Sequence, residues 1–239
     1  MRATSTRWVV PALFAVAAVL TALGAGRQVS HALAHPDARM VLEAVYSSLR
    51  ALIAAAFALL TVGRKPAHRR ARNPVPFIAC ALAMGISVFF RSPPAGTPEA
   101  LEVLGEAVAA ASCALLAVSV FSLGRCFGVL PEARGLVTSG AYKVVRHPLY
   151  ATEIAAFVGL AIAAPVLANA LLLIVLLGAQ RVRMRFEEQA LTEAFPEYER
   201  YARTVPALIP APRALVTRGR AFAQVLTGKP KPAPDPSRS

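Results

Sequence analysis

The sequence predicts an all-α, polytopic membrane protein with about six transmembrane helices, the last two paired as a C-terminal hairpin. Three observations carry that expectation. Hydrophobic residues make up 56% of the chain against 16% charged, with a mean hydropathy of +0.53, which is outside the usual soluble balance. Apolar runs recur at about the 17–25 residues that span a bilayer core. Lysine and arginine crowd into the segments that would share one membrane face.

The first run is Trp8 to Gly26 and the second Val41 to Gly63, followed by Val75 to Phe90 and Leu101 to Leu123. The last, Tyr150 to Ala179, is too long for one upright helix. Pro165 and Asn169 interrupt it where a tight turn fits. It reads either as two short helices in a hairpin or as one kinked helix, and charge separates the two. Arg2 and Arg7 precede the first run, and "RKPAHRRARN" after the second holds five Lys or Arg, so the positive-inside rule puts both on the cytoplasmic face. With a hairpin, every Lys and Arg lies on that face except Arg27, Arg39 and Arg91 outside and Arg50 within a span. A single kinked helix would export the basic C-terminal part. Six crossings with both termini cytoplasmic are therefore expected, and the Ala- and Arg-rich composition suggests a bacterial inner membrane.

The N-terminus also has the parts of a signal peptide: a basic start, an apolar core and "ALA" at 32–34. Its apolar segment is long for a signal core and is read as an anchor. Residues 1–100 are taken as N-terminal transmembrane helices. Residues 213–239, ending in "TGKPKPAPDPSRS", form a basic, Pro-rich tail expected to be disordered.

A formal net charge of +13 would point to nucleic acid on a soluble domain. Here the basic residues flank apolar runs rather than forming a stripe with interleaved aromatics, which argues against that partner. Cysteine offers neither a disulfide framework nor a metal-ligand spacing. Cys80 and Cys113 lie in apolar runs and Cys126 stands alone.

Polar chemistry concentrates in two regions, Gly124–His147 before the hairpin and Arg181–Pro210 after it. The hairpin would return them to one face and build one site there. In the first, "LPEARGLVTSGAYKVVRHP" reads as a Gly-containing loop that ends where Pro148 can start a helix. A helix start there offers unpaired amides to an anion, while Arg146 and His147 alone are equally read as an interfacial anchor. Glu153 lies one turn inside the apolar run, close to Tyr150, with Arg146 or Arg125 as candidate partners. In the second region, Arg183 and Glu187 are four apart on one helix face, which alone suggests a surface ion pair. Phe186, Leu191, Phe195, Tyr198 and Tyr201 supply an apolar side. Glu43 and Arg50 share a face of the second span and Glu106 sits on the fourth. All three are open to roles as inter-helix glue or cavity lining.

Together, "GLVTSGAYKVVRHPLY" at 135–150 and "EEQALTEAFPEYERYARTVPALIP" at 187–210 resemble the isoprenylcysteine carboxyl methyltransferase family and the related phospholipid methyltransferases. The shared pattern is Leu-Val-Thr-x-Gly-x-Tyr, Arg-His-Pro-x-Tyr, an apolar hairpin, Glu-Glu, and Tyr-x-x-Tyr with a closing Pro. It covers about residues 115–212, and the region 101–212 is read as methyltransferase-like. The resemblance implies an integral membrane methyltransferase with a cytoplasmic-face site for S-adenosylmethionine and a lipophilic or lipid methyl acceptor. By position it implies cofactor contacts from Arg134, Gly135, Leu136, Val137, Tyr142, His147, Pro148, Leu149, Tyr150 and Glu187. Arg134 stands where His is frequent in eukaryotic members, and Pro196 stands where Gly is frequent.

For catalysis the candidates are Arg183, facing the acceptor, and Glu153, a base if the acceptor must lose a proton, with His147 as the other candidate base. The cofactor's ammonium suits a carboxylate such as Glu187, and its sulfonium suits aromatic faces such as Tyr142 and Tyr150. Two other readings stay open from sequence. One is a non-catalytic membrane scaffold or lipid-binding protein with this fold. The other is a small transporter whose path is lined by Glu43, Arg50, Glu106 and Glu153.

Overall fold

Helices dominate the computed structural model of the chain, which describes residues 5–35, 37–70, 73–128, 130 and 132–210; the tail at 213–239 lies outside them. Helix α1 (Ser5–Ala34) leads through a short turn into α2 (Ala38–Val62). Asp37 caps α2, its carboxylate accepting the Met40 N–H at 2.7 Å. Helix α3 (Val75–Gly85) runs on into a 3-10 turn at Ile86–Val88. Helices α4 (Glu99–Leu123), α5 (Pro148–Ala163), α6 (Leu167–Ala194) and the short α7 (Tyr198–Thr204) follow. Two-residue strands β1 (Arg69–Arg70) and β2 (Glu132–Ala133) pair antiparallel, tying the α2–α3 connection to the loop after α4.

Four spans among the described residues are long and apolar enough to cross a membrane: Val10–Ala34, Ala38–Val62, Glu99–Cys126 and Leu167–Ala194. The apolar helices Val75–Val88 and Pro148–Ala163 are shorter. The 16 residues of α5 reach only about 24 Å at 1.5 Å per residue, less than a bilayer core of about 30 Å. Exposed Leu13, Val16 and Leu20 on α1 and Leu115, Val118 and Phe121 on α4 give these helices the apolar outer surface that lipid requires.

The predicted hairpin is present. The chain breaks at Ala164–Val166, and α6 returns antiparallel to α5, so that Tyr150 faces Glu187 and Glu153 faces Gln180. Asn169, fully buried, explains how the turn tolerates an apolar setting. Its Nδ2 donates to the carbonyls of Ala164 and Arg91, both at 3.0 Å, and its Oδ1 accepts the Arg91 N–H at 2.8 Å. Backbone groups left unpaired by the helix break thereby find partners without water.

Packing between α4 and α5 brings backbone against backbone. Gly105 and Ala109 on α4 meet Gly159 and Ala163 on α5, small residues four apart on each helix, which lets backbones touch. A Cβ on Gly105 would lie 2.3 Å from the Ala163 nitrogen, and one on Gly159 would lie 2.6 Å from the Ala109 nitrogen. Near the far ends of α2 and α4, Arg39 gathers the acidic residues that sequence left unassigned. It lies 2.6 Å from Glu102, 3.2 Å from Glu43 and 3.9 Å from Glu106. Glu102 and Glu106 thus tie α4 to α2 through Arg39, whereas Glu43 pairs with Arg39 within α2.

Gly159→Val is expected to force α4 and α5 apart and cost about 1–3 kcal/mol or more, the usual range for overpacking. A melting temperature in detergent equal to the parent's would rule out the backbone contact.

Candidate functional site

Pro148 starts α5, its missing N–H costing nothing in the first helical turn, and this sets Arg146 and His147 at the helix entrance. The segment after α7 runs alongside them. The Arg146 N–H donates to the Pro206 carbonyl (2.8 Å) and the His147 N–H to that of Ala207 (3.0 Å). Both side chains then converge on one atom of α6, Oε1 of Glu188. Arg146 reaches it with Nε at 3.1 Å and Nη2 at 2.8 Å, and His147 with Nε2 at 2.9 Å. An ionised carboxylate only accepts, so the proton on His147 is on Nε2. The third Arg146 nitrogen, Nη1, donates to the carbonyls of Ala202 (2.6 Å) and Val205 (2.9 Å). Loop, hairpin and α7 are thereby joined at one point.

Glu187, the neighbour of Glu188, is turned by the helix toward the hairpin interior, where Oε2 accepts the Tyr150 hydroxyl at 2.6 Å. The Arg183 guanidinium lies 4.7 Å from the centre of the Tyr150 ring, within cation–π range. Gln180, with no exposed surface, donates from Nε2 to Glu153 (2.7 Å) and accepts from Arg183 Nη1 at Oε1 (2.9 Å); Arg183 itself is 3.6 Å from Glu153. Arg183 is thus buried in the hairpin, not paired on a surface as its spacing suggested. The partner of Glu153 is likewise not one of those expected. Arg146 is held by Glu188, and Arg125 donates to the Gly63 carbonyl at 3.0 Å, because both lie outside the face that α6 presents to Glu153.

Tyr201 donates its hydroxyl to the Tyr142 carbonyl at 2.6 Å, fixing the turn at Gly140–Lys143. Burial, and then the nearby Glu187 carboxylate, holds the Tyr142 phenol well above its usual pKa, and burial pushes Tyr201 up to about 12. Both remain neutral at physiological pH, so neither phenol serves as a base.

A cavity of about 300 Å³ adjoins these groups. Gly135, Leu136, Val137, Tyr142, His147, Leu149, Tyr150, Glu153, Arg183 and Glu187 all line it. At Gly135 the chain passes so near Cys126 that a Cβ would lie 2.6 Å from the sulfur. Two residues of the predicted set stand off the cavity wall. Arg134 is buried but turned toward the Glu132 carboxylate and the Lys65 carbonyl, clamping two loops together, and Pro148 is buried at the start of α5.

Sequence reasoning missed Gln180 and the role of Glu188. A Gln in the middle of an apolar run, three residues from Arg183, was the available signal for the first. It also missed that Phe14 and Ala17 of α1, Tyr46, Ile53 and Phe57 of α2, and Ala83 of α3 line the cavity, and it left open the cavity lining that Arg50 does supply.

Fold and site together define a helical integral membrane protein whose hairpin walls one side of an interhelical cavity. Residues 98–198, which supply α4, the hairpin and Glu187, match the phospholipid methyltransferase family, so the recognition made from the motifs holds over that segment. The chain is similar to the cobalt-zinc-cadmium resistance protein CzcN of Cupriavidus metallidurans, at 36% identity over 101 residues, 40% of this chain and 47% of the relative. It is similar at 33% identity, with the same coverage, to the nickel-cobalt-cadmium resistance protein NccN of Alcaligenes xylosoxydans xylosoxydans. The chain spans about half the length of the curated relatives it matches.

Glu188→Ala would leave Arg146 and His147 without their shared acceptor, and a cost of about 1–3 kcal/mol is expected, as for loss of hydrogen bonds to a charged group. Thermal unfolding in detergent measures it; an unchanged midpoint would show that the hairpin does not depend on this clamp.

Proposed function

We propose that the protein is an S-adenosylmethionine-dependent methyltransferase acting within the membrane on a lipophilic acceptor, the carboxylate of an isoprenylated or other lipid-like molecule, or a lipid amine. One observation carries this reading: the residues of the methyltransferase motifs and the apolar faces of α1 to α3 border the same cavity. A water-soluble donor and a lipid-soluble acceptor need such a shared space.

The donor set fits the cofactor. Glu187, aimed by the Tyr150 hydroxyl, offers a carboxylate to an ammonium group, and Tyr142 and Tyr150 offer aromatic faces to a cation. The non-helical backbone of Gly135–Val137 offers amides and carbonyls on the opposite wall. S-adenosylmethionine, when bound, supplies the activated methyl group. Arg183, fixed by Gln180, Glu153 and the Tyr150 ring, orients an electron-rich acceptor, so that rate comes from positioning. His147 Nε2 is already committed to Glu188, which leaves Glu153 as the better base for an acceptor that must lose a proton.

The charge asymmetry along the chain supports six crossings of a bacterial inner membrane, with the site and both termini at the cytoplasmic face. The relatives' names speak of resistance to cobalt, zinc, cadmium and nickel. Methyl transfer is the reading supported by the motif residues that line the cavity and by the family match over residues 98–198.

The deciding experiment combines calorimetry of S-adenosylmethionine binding to detergent-solubilised protein with transfer of label from the cofactor into a membrane lipid extract. Glu187→Ala is expected to weaken cofactor binding about tenfold or more and to lower turnover with it, whereas Arg183→Ala lowers turnover with a smaller effect on binding. A parent protein that does not bind the cofactor, or equal affinity in Glu187→Ala and the parent, would overturn this assignment.

A further inference from the structure

We propose that Arg181 and Arg185 form a headgroup site for an anionic phospholipid on the outer face of α6, the two guanidiniums sharing its phosphate. This lipid belongs to the membrane around the hairpin and is separate from the cavity and from any methyl acceptor, so the proposal stands apart from the methyltransferase reading.

The run "RVRMR" at 181–185 places an arginine at every second position, and a helix sorts such a run. Residues four apart share a face, and the one midway between them points the other way. Arg183 is accordingly buried in the hairpin, whereas Arg181 and Arg185 are exposed. Other arginines on this side of the molecule have carboxylate partners: Arg134 has Glu132, Arg146 has Glu188 and Arg183 has Glu153. Neither Arg181 nor Arg185 makes a side-chain hydrogen bond or ion pair among the described residues. Like charges four apart on a helix repel, so the pair is relieved by one anion between them.

The rest of that face describes the occupant. Leu167, Leu171 and Ile174 are exposed on it at spacings of three and four, and Gly178 leaves open space where a side chain would stand. The face thus runs from apolar side chains, past a notch at Gly178, to two cations, the order of acyl chain and phosphate in a lipid. Depth argues against water as their partner. Counted from Leu167 at 1.5 Å per residue, Arg181 stands about 21 Å and Arg185 about 27 Å along the axis, both short of a bilayer core of about 30 Å. Helical side chains lean toward the N-terminus, here back into the membrane, which works against snorkelling. A charge held at that level is costly without a counter-charge, and lipid phosphate is the anion at hand. A guanidinium binds phosphate through a planar fork of donors. A choline headgroup would bring its own cation against the pair, so a headgroup of net negative charge is selected. Arg183, Glu187 and Glu188 lie within three residues of the pair, and a lipid bound there steadies the turns of α6 that carry the site.

The test uses full-length protein in detergent, with bound ligand counted by native mass spectrometry, and three probes: dioleoyl phosphatidylglycerol, dioleoyl phosphatidylcholine and inorganic phosphate. Phosphatidylglycerol is expected to bind about tenfold tighter than phosphatidylcholine, which has the same chains, and inorganic phosphate is expected not to be retained at the same concentration. Arg181→Gln/Arg185→Gln is expected to abolish the preference, each single Gln variant to lose part of it, and Arg181→Lys/Arg185→Lys, which keeps charge without the fork, to retain part. The single variants carry the test if the double variant does not fold. Arg200→Gln/Arg203→Gln removes the same charge from exposed positions on α7 and is expected to leave the preference intact. Equal binding of the two lipids by the parent, a preference that survives the Gln variants at 181 and 185, or an equal loss in the α7 variant overturns the proposal. Inorganic phosphate bound as tightly as phosphatidylglycerol would overturn it as well, since the anion site would then owe nothing to the membrane.

Discussion

One oxygen atom, Oε1 of Glu188, holds the working end of the molecule together. Arg146 and His147 approach it from the start of α5, and Arg146 also grips the carbonyls of Ala202 and Val205 around α7. The two helices of the hairpin are joined at their other end by Asn169. Between those fixed points the register is set, and the facing pairs follow from it: Tyr150 with Glu187, Glu153 with Gln180 and Arg183. Because Glu187 and Glu188 are adjacent on one helix, the anchoring of Glu188 in the loop clamp is what turns Glu187 toward the cavity.

The hairpin was legible because proline and asparagine mark where an apolar helix cannot continue, and because the distribution of Lys and Arg prefers an even number of crossings. Ten of the twelve candidate site residues line one cavity, most of them named from the motifs and Glu153 from its place inside an apolar run. The pairings were not legible. Spacing of three or four residues reports neighbours on one helix, whereas Glu153 and Arg183 meet across two helices, and only the register of the hairpin decides who faces whom. Arg134 shows the same limit: its place in a motif put it beside the cofactor, but the loop it belongs to is tied to Lys65 from a distant connection. Apolar runs also overstate helices, as at Val75–Phe90, where the α-helix gives way to a 3-10 turn after Gly85.

The cavity is a composite. Its polar side is built from residues 132–201, most of them within the segment matched by the phospholipid methyltransferase family, and its apolar side draws on α1 and α2, which precede that segment. Polar and apolar walls face different demands. The first must hold charged groups in fixed geometry and is cross-linked by hydrogen bonds; the second must present greasy surface, and it does so through side chains such as Phe14 packed edge-on against Phe57.

The contact between Gly105 and Gly159 bears on motion as well as on packing. Where backbones touch, no rotamers stand between the helices to swing aside, so the α4–α5 seam is a wall that does not open. The opposite side of the cavity is closed by side chains of α1 and α2, which can change rotamer and part. Any widening of the cavity is therefore expected on the side of the N-terminal pair, where side chains rather than backbones meet.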